Sequence, residues 1–355
     1  MTEKLKVAVV GGGVGRNHLT AFQNLPDLFE LRAVCDIDAA KARAIAETFH
    51  IPRAMTAIDE LYRMEDLDVI DLCTPSHLHY QQTLEVLAAG KHVICEKPVA
   101  GSLRQADELI AAEARSGKRV MPIFQYRFGH GLQKLKWLRD QGLTGRAYLT
   151  TSETAWRRRP AYYAAAWRGK WRTELGGALV TLSIHAHDAV YYILGPAKSV
   201  AAHTATLVNP IETEDTASVS LQMADGSLAS LSVTTGSALE ISRHRFCFSN
   251  LTAESNLQPY ANTGDDWTFT GDTPEVDERV AAALARFEPQ PEGNEGQFHR
   301  YHQAMQSGQA FPVTLADARA SLELITAIYH SARTRQTVEL PILDGHPLYA
   351  GWQPE

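Results

Sequence analysis

The chain has 355 residues, 45% hydrophobic and 21% charged, with a formal net charge of −7. That length exceeds one core and predicts two domains, the balance excludes a disordered or fibrous chain, and the acidic charge excludes a general nucleic-acid binder. The first apolar stretch, Val7 to Val10, stops at three glycines, too short for a signal-peptide core or a membrane span, so a cytoplasmic protein with no membrane partner is expected.

From Leu5 to about Pro122, β-rich runs alternate with helical patterns. The runs Val7–Val10, Leu31–Cys35, Val69–Leu72, His92–Cys95 and Val120–Pro122 predict βαβ units around a parallel sheet. Gly11-Gly12-Gly13-Val14-Gly15 follows the first run directly and opens a helix. Backbone there can approach a pyrophosphate at the helix N-terminus, although the spacing is the contracted GxGxG rather than GxGxxG. Gly11, Gly13, Val14 and Gly15 are therefore candidate cofactor contacts. Asp36 ends the second run about 20 residues on, where a carboxylate accepts the ribose hydroxyls and repels a 2′-phosphate, favouring NAD over NADP. A helix N-cap is the other reading of Asp36.

A helix is expected over roughly Leu78 to Ala89, stopped by Gly90. The next run ends in Glu96-Lys97-Pro98. In a parallel sheet ligands bind beyond the carboxyl ends of the strands, and Pro98 turns Lys97 out of the α region, so a charged amine is held at that edge. Cys35, Cys73 and Cys95 fall in or just after these runs, and with Cys247 they show no CxxC spacing. They read as small core residues rather than disulfides or zinc ligands.

After Arg127 the texture changes. Val219, Leu221 and Met223, and then His244, Phe246 and Phe248, alternate with polar residues, which predicts antiparallel strands with one face solvated or covered by a partner. The fold class is thus α/β plus α+β: a Rossmann dinucleotide-binding domain over 1–124 and, over 125–355, a substrate-binding domain with an open, mostly antiparallel sheet. Thr252 to Gly296, rich in Pro, Gly, Asn and Asp, reads as loops with a short helix near Arg279–Phe287. Two closing helices carry Phe298, Tyr301 and Met305, and Leu322, Ile325 and Tyr329, at core spacing.

Between Trp156 and Arg172, six basic residues interleave with Tyr162, Tyr163, Trp167 and Trp171, with no acid among them. Aromatic faces suit sugar rings and guanidinium forks suit acidic groups, so Tyr163, Trp167 and, separately, Arg127 are candidate substrate contacts. A solvated loop or a buried subunit interface is the competing reading.

Four segments, AVVGGGVGRNH, DLCTPSHLHYQQTLEVLAAGKHVICEKPVA, FQYRFG and GGALVTLSIHAHD, resemble the Gfo/Idh/MocA oxidoreductases in order and spacing. The resemblance spans nearly the whole chain, and the TPxxxH turn joined to GKHVxxEKP is its specific part. It implies oxidation or reduction of a secondary alcohol on a sugar or cyclitol with a nicotinamide cofactor. It also implies that Thr74, Pro75 and His79 lie near the cofactor, Glu96 near the nicotinamide ribose, and Lys97 between cofactor and substrate, with a cis Lys97-Pro98 bond. The family's second signature reads Gly176, Gly177, Thr181, His185 and Asp188. Thr181 stands where many members carry Asp or Asn, so a hydroxyl replaces a carboxylate beside the candidate base His185.

On one helix Thr181, His185 and Asp188 would share a face that looks into the cleft, with Thr181 and Asp188 as further candidate substrate contacts. His185-x-His187 and His77-x-His79 point apart on a helix, so no metal is expected. The mechanism expected is hydride transfer to NAD with His185 as base and Lys97 ammonium at the developing alkoxide. Two alternatives are a redox-neutral glycoside hydrolase that oxidises transiently and eliminates, and a non-catalytic dinucleotide sensor. The open sheet and the resemblance together imply a homodimer or homotetramer.

Overall fold

The computed structural model describes residues 3–354. The chain divides into two compact units, Met1–Phe124 with Asn294–Arg319, and Gln125–Gly293 with Ala320–Glu355. The second domain anticipated from the sequence is thus interrupted, and the reason is apolar packing. Phe298 of the helix Gly293–Ser307 stacks on Phe22 with ring centroids 4.2 Å apart. Gln297 is wholly buried beside it. Its amide nitrogen donates to Pro122 O at 2.7 Å and its oxygen accepts from Phe124 N at 3.1 Å.

The first unit holds β1 (Leu5–Val10), β2 (Phe29–Cys35), β3 (Ala54–Met55), β4 (Val69–Leu72), β5 (His92–Cys95) and β6 (Val120–Pro122). They pair in parallel in the order β3-β2-β1-β4-β5-β6. The order reverses between β1 and β4, and this switch point is where an open α/β sheet presents its ligand crevice. β3, only two residues long, was not legible as a run. Val7, Val9, Val69 and Ile70 are fully buried, as continuous apolar runs covered on both faces require.

The second unit holds β7 (Ala147–Arg157), β8 (Ala197–Ala205), β9 (Thr216–Met223), β10 (Leu228–Thr234), β11 (Gly236–Phe248), β12 (Leu251–Glu254), β13 (Thr268–Gly271) and β14 (Val338–Glu339). Their order is β13-β12-β11-β7-β10-β9-β8-β14, antiparallel except for β7 beside β10. Val219, Leu221 and Met223 are buried while the alternating Ser218, Ser220 and Gln222 are exposed, so one face of the sheet forms a core. The stretch 252–296, expected as loops with a short helix near Arg279–Phe287, has that helix at Pro274–Leu284 and also supplies most of β12 and all of β13. These edge strands are short and polar, so their alternation is weak. All four cysteines are free, three of them buried.

Candidate functional site

At the first sheet's switch point, each glycine of the β1 turn has its own reason. Gly11 has φ +97°, and a Cβ there would meet Cys73 O at 2.4 Å. At Gly12 a Cβ would meet the Ile45 side chain at 2.2 Å, whereas Gly13 is exposed with nothing within 4 Å. The turn is therefore closed toward the protein and open outward, a cradle into which a pyrophosphate fits at the N-terminus of the helix Gly15–Gln23. Val14 is exposed on the same turn.

Asp36 accepts from Gly12 N at 2.8 Å and from Asp38 N at 3.0 Å, and lies 2.6 Å from Lys41 Nζ. Burial pushes its carboxyl up, but the Lys41 ammonium and the two N–H groups outweigh that and hold it below the usual range. The N-cap of the next helix is Asp38, which accepts from Ala40 N and Lys41 N. The alternative reading of Asp36 as that cap is set aside, and its carboxylate lies against the glycine turn through Gly12 N.

His79 is buried and ties two loops together, with Nδ1 2.8 Å from Pro98 O and Nε2 2.7 Å from Thr74 O. Burial is the larger influence and lowers its pKa. Thr74 Oγ1 donates to Gln82 at 2.6 Å, and Pro75 precedes the helix Ser76–Ala88. His79 thus ties the Thr74-Pro75 turn to the Lys97-Pro98 turn, whose peptide bond is cis.

Lys97 is half-buried, and its backbone N–H donates to Glu96 Oε2 at 3.1 Å. Behind it lies a group that sequence reasoning missed. His18 is fully buried, with Nδ1 2.8 Å from Asp71 Oδ2 and Nε2 3.1 Å from Glu96 Oε1. Burial pulls the His18 pKa down, but Asp71, joined by Cys73, outweighs it and holds the imidazole well above its ordinary value. Cys73 Sγ lies 3.6 Å from Asp71 Oδ1, and burial pushes the thiol up. His18, Asp71 and Cys73 have metal-ligand chemistry, and both ring nitrogens of His18 are here engaged by carboxylates, those of Asp71 and Glu96. The signals in the sequence were an acid inside an apolar run, Val69-Ile70-Asp71-Leu72, and a histidine one helical turn past Gly15.

In the second unit the signature segment is two helices, Ala178–Thr181 and Ile184–Leu194, rather than one. Leu182 has φ −117° and ψ −63°, and Ser183 N donates back to Ala178 O at 2.9 Å, which closes the first helix. The single face expected for Thr181, His185 and Asp188 is corrected accordingly. Only His185 and Asp188 share a helix, and the Thr181 hydroxyl donates to Gly177 O at 2.8 Å.

His185 is 6% exposed and stacks on Tyr126 with centroids 5.0 Å apart. Arg127 and Asp188 form a buried two-pronged pair, Nε to Oδ2 at 2.7 Å and Nη2 to Oδ1 at 2.6 Å. Expected from the sequence to contact substrate, these two side chains instead bind each other. His187 is packed inside, its pKa pulled to about 3 by burial and by His244.

Gly176 and Gly177 have a packing cause. A Cβ on Gly177 would meet Glu214 O at 1.7 Å, and one on Gly176 the Val180 side chain at 2.4 Å. The buried Glu214 carboxylate accepts from Gly177 N at 3.0 Å, Leu179 N at 2.9 Å and Tyr329 OH at 2.9 Å. Burial outweighs these bonds and raises its pKa to about 7.

Much of the basic segment is internally engaged. The Arg158 guanidinium lies over the rings of Trp156 and Tyr162 at 5.2 and 4.9 Å, and Arg168 pairs with Glu174 at 3.0 Å. Tyr163 and Trp167 are half-buried, while Arg157, Arg159, Lys170 and Arg172 are exposed.

A parallel sheet with its order reversed between β1 and β4, and a glycine turn braced by the Asp36 carboxylate at that point, define a Rossmann-type unit, here joined to an open-sheet unit. Residues 5–124 match the profile described as "Oxidoreductase family, NAD-binding Rossmann fold", and residues 132–249 match the GFO/IDH/MocA C-terminal domain. The chain belongs to the Gfo/Idh/MocA family. It is 35% identical over 206 residues to D-glucoside 3-dehydrogenase of Escherichia coli, covering 56% of this chain and 57% of that relative, and so spans just over half of its length. It is 34% identical to inositol 2-dehydrogenase of Rhodococcus erythropolis over 41% of this chain and 42% of that one. The WlbA dehydrogenase of Bordetella pertussis, solved with NADH and UDP-GlcNAcA, superposes with a TM-score of 0.84 at 29% identity, covering 96% of this chain and all of the other. Among the described residues, no helix is long and apolar enough to cross a membrane.

Proposed function

We propose that the protein is an NAD-dependent dehydrogenase that oxidises or reduces a secondary hydroxyl of a sugar, acidic sugar or cyclitol. The observation that carries this reading is Lys97, an amine at the carboxyl end of β5, next to the switch point, with its peptide held by the carboxylate of Glu96. Bound NAD supplies a hydride acceptor. Gly11, Gly13, Val14 and Gly15 receive its pyrophosphate, Asp36 its ribose hydroxyls, and Thr74, Pro75, His79 and Glu96 shape the wall beside the nicotinamide. His185 takes the hydroxyl proton, and Lys97 Nζ stabilises the alkoxide that develops. Thr181, Tyr163 and Trp167 contact the sugar, and the Arg127–Asp188 pair orients His185. We further propose a homodimer or homotetramer in the cytoplasm, joined through the open sheet.

The test is NADH absorbance with NAD and a panel of neutral sugars, uronates, cyclitols, aryl glycosides and UDP-GlcNAcA, with aglycone followed in parallel. NADH growth with one class and a roughly 10²- to 10³-fold loss of kcat in Lys97→Ala at near-constant NADH affinity are expected. Aglycone release without NADH would replace this reading by the redox-neutral hydrolase. Retained turnover in Lys97→Ala would remove Lys97 from the chemistry.

A further inference from the structure

We propose that His18 is a positioning residue for Lys97, acting through the Glu96 carboxylate that it shares with the Lys97 peptide. The inference rests on the reading of Lys97 as the group that stabilises the alkoxide. His18 enters from the helix that the glycine turn opens, Asp71 from the end of β4, and Glu96 from just past the end of β5. Asp71 and Glu96 flank the ring, one at each nitrogen. Two ionised carboxylates accept and do not donate, so a ring that serves both carries a proton on each nitrogen and is a cation.

The environment makes this arrangement specific. Asp71 is fully buried, Glu96 is 6% exposed, and Phe298 packs against the imidazole in a T-shaped contact with ring centroids 5.3 Å apart. Glu96 is then used on both oxygens: Oε1 faces His18 at 3.1 Å and Oε2 accepts the Lys97 N–H at 3.1 Å. A carboxylate on a flexible stem is held in one rotamer by these two contacts, and the peptide plane that carries Lys97 is held with it.

A neutral side chain at position 18 removes the contact to Oε1 and leaves two carboxylates facing each other in a closed space. Glu96 then turns or takes up a proton, and Lys97 loses its fixed direction. Misplacement of a catalytic group by about 1 Å costs on the order of 10²-fold in rate.

The experiment is a kinetic cycle on the full-length chain with His18→Gln, Lys97→Ala and the pair, reading kcat at saturating NAD and substrate, together with Kd for NADH. For His18→Gln, kcat is expected to fall at least about tenfold while Kd for NADH stays within about threefold, and to fall no further when added to Lys97→Ala. The opposite split, raised Kd with kcat preserved, would mean that His18 only packs the nucleotide-binding helix and would overturn the proposal. Equal multiplicative losses in both backgrounds would overturn it too. If Lys97→Ala itself retains turnover, the parent reading fails, which is distinct from a His18 variant that is harmless while Lys97→Ala is inactive. Should His18→Gln not fold, His18→Gln/Glu96→Gln replaces the charged contact by a neutral amide pair. That variant is expected to fold and to recover part of kcat relative to Glu96→Ala; no recovery counts against the proposal.

Discussion

At the end of the first sheet two buried carboxylates, Asp71 and Glu96, share one imidazole, whereas in the second unit the buried carboxylate of Glu214 is hydrogen-bonded by the neutral donors Gly177 N, Leu179 N and Tyr329 OH. The difference lies in what each arrangement does to ionisation. Around His18, opposite charges secure each other and the imidazole pKa rises despite complete burial. Around Glu214, dipoles offset desolvation only in part, and burial raises the carboxyl pKa to about 7. The Arg127–Asp188 pair is a second case of the first kind, in the same unit as Glu214. Charge paired with charge fixes a protonation state, while charge paired with dipoles leaves it responsive to pH.

Breaking the Arg127–Asp188 pair gives the largest expected effect. Arg127→Met leaves Asp188 buried without its cation and should cost about 3–5 kcal/mol in urea unfolding, with most of it returning in Arg127→Met/Asp188→Leu. If the single variant costs no more than a surface substitution, the charge-for-charge half of the comparison is wrong.

Glu214 should give a smaller, pH-dependent effect. Its folded pKa of about 7 lies above the ordinary 4.5. The folded state therefore binds the proton more tightly, and this contribution is fully present below pH 4.5 and lost as pH rises through about 7. Converted at 1.36 kcal/mol per pKa unit, it amounts to roughly 3 kcal/mol at most. A Tm profile from pH 5 to 8 should fall in the parent and flatten in Glu214→Gln, and equal slopes in the two would count against it.

The exposed pair Asp59–Arg63, one turn apart on a helix with side chains 52% and 75% exposed, sharpens the contrast from the other end. Solvent screens it, so Arg63→Ala should move Tm by less than about 1 °C.

What could be read without coordinates was local. The runs at Val69–Leu72, His92–Cys95 and Val120–Pro122 coincide with β4, β5 and β6 because a buried parallel strand writes itself as an apolar run between turns. The cradle was legible because glycine is demanded by a neighbour one strand away. Glu214 was not, since its partners Leu179 and Tyr329 lie 35 and 115 residues off. The break at Leu182 carries no glycine or proline to announce it, so a continuous helix was the natural expectation. His18 lay within a quoted motif, yet its meaning depends on Asp71 and Glu96, 53 and 78 residues later.

The division of the first unit into two pieces of chain has a consequence for biosynthesis. Phe298 and Gln297, which pack on Phe22 and hold Pro122 and Phe124, belong to the stretch Asn294–Arg319. A ribosome that has finished β6 must still make the whole of Gln125–Gly293 before that stretch follows, on the order of ten to thirty seconds at roughly 5–20 residues per second. During that interval the nascent nucleotide-binding half stands with one wall of its core open, a natural client for chaperones.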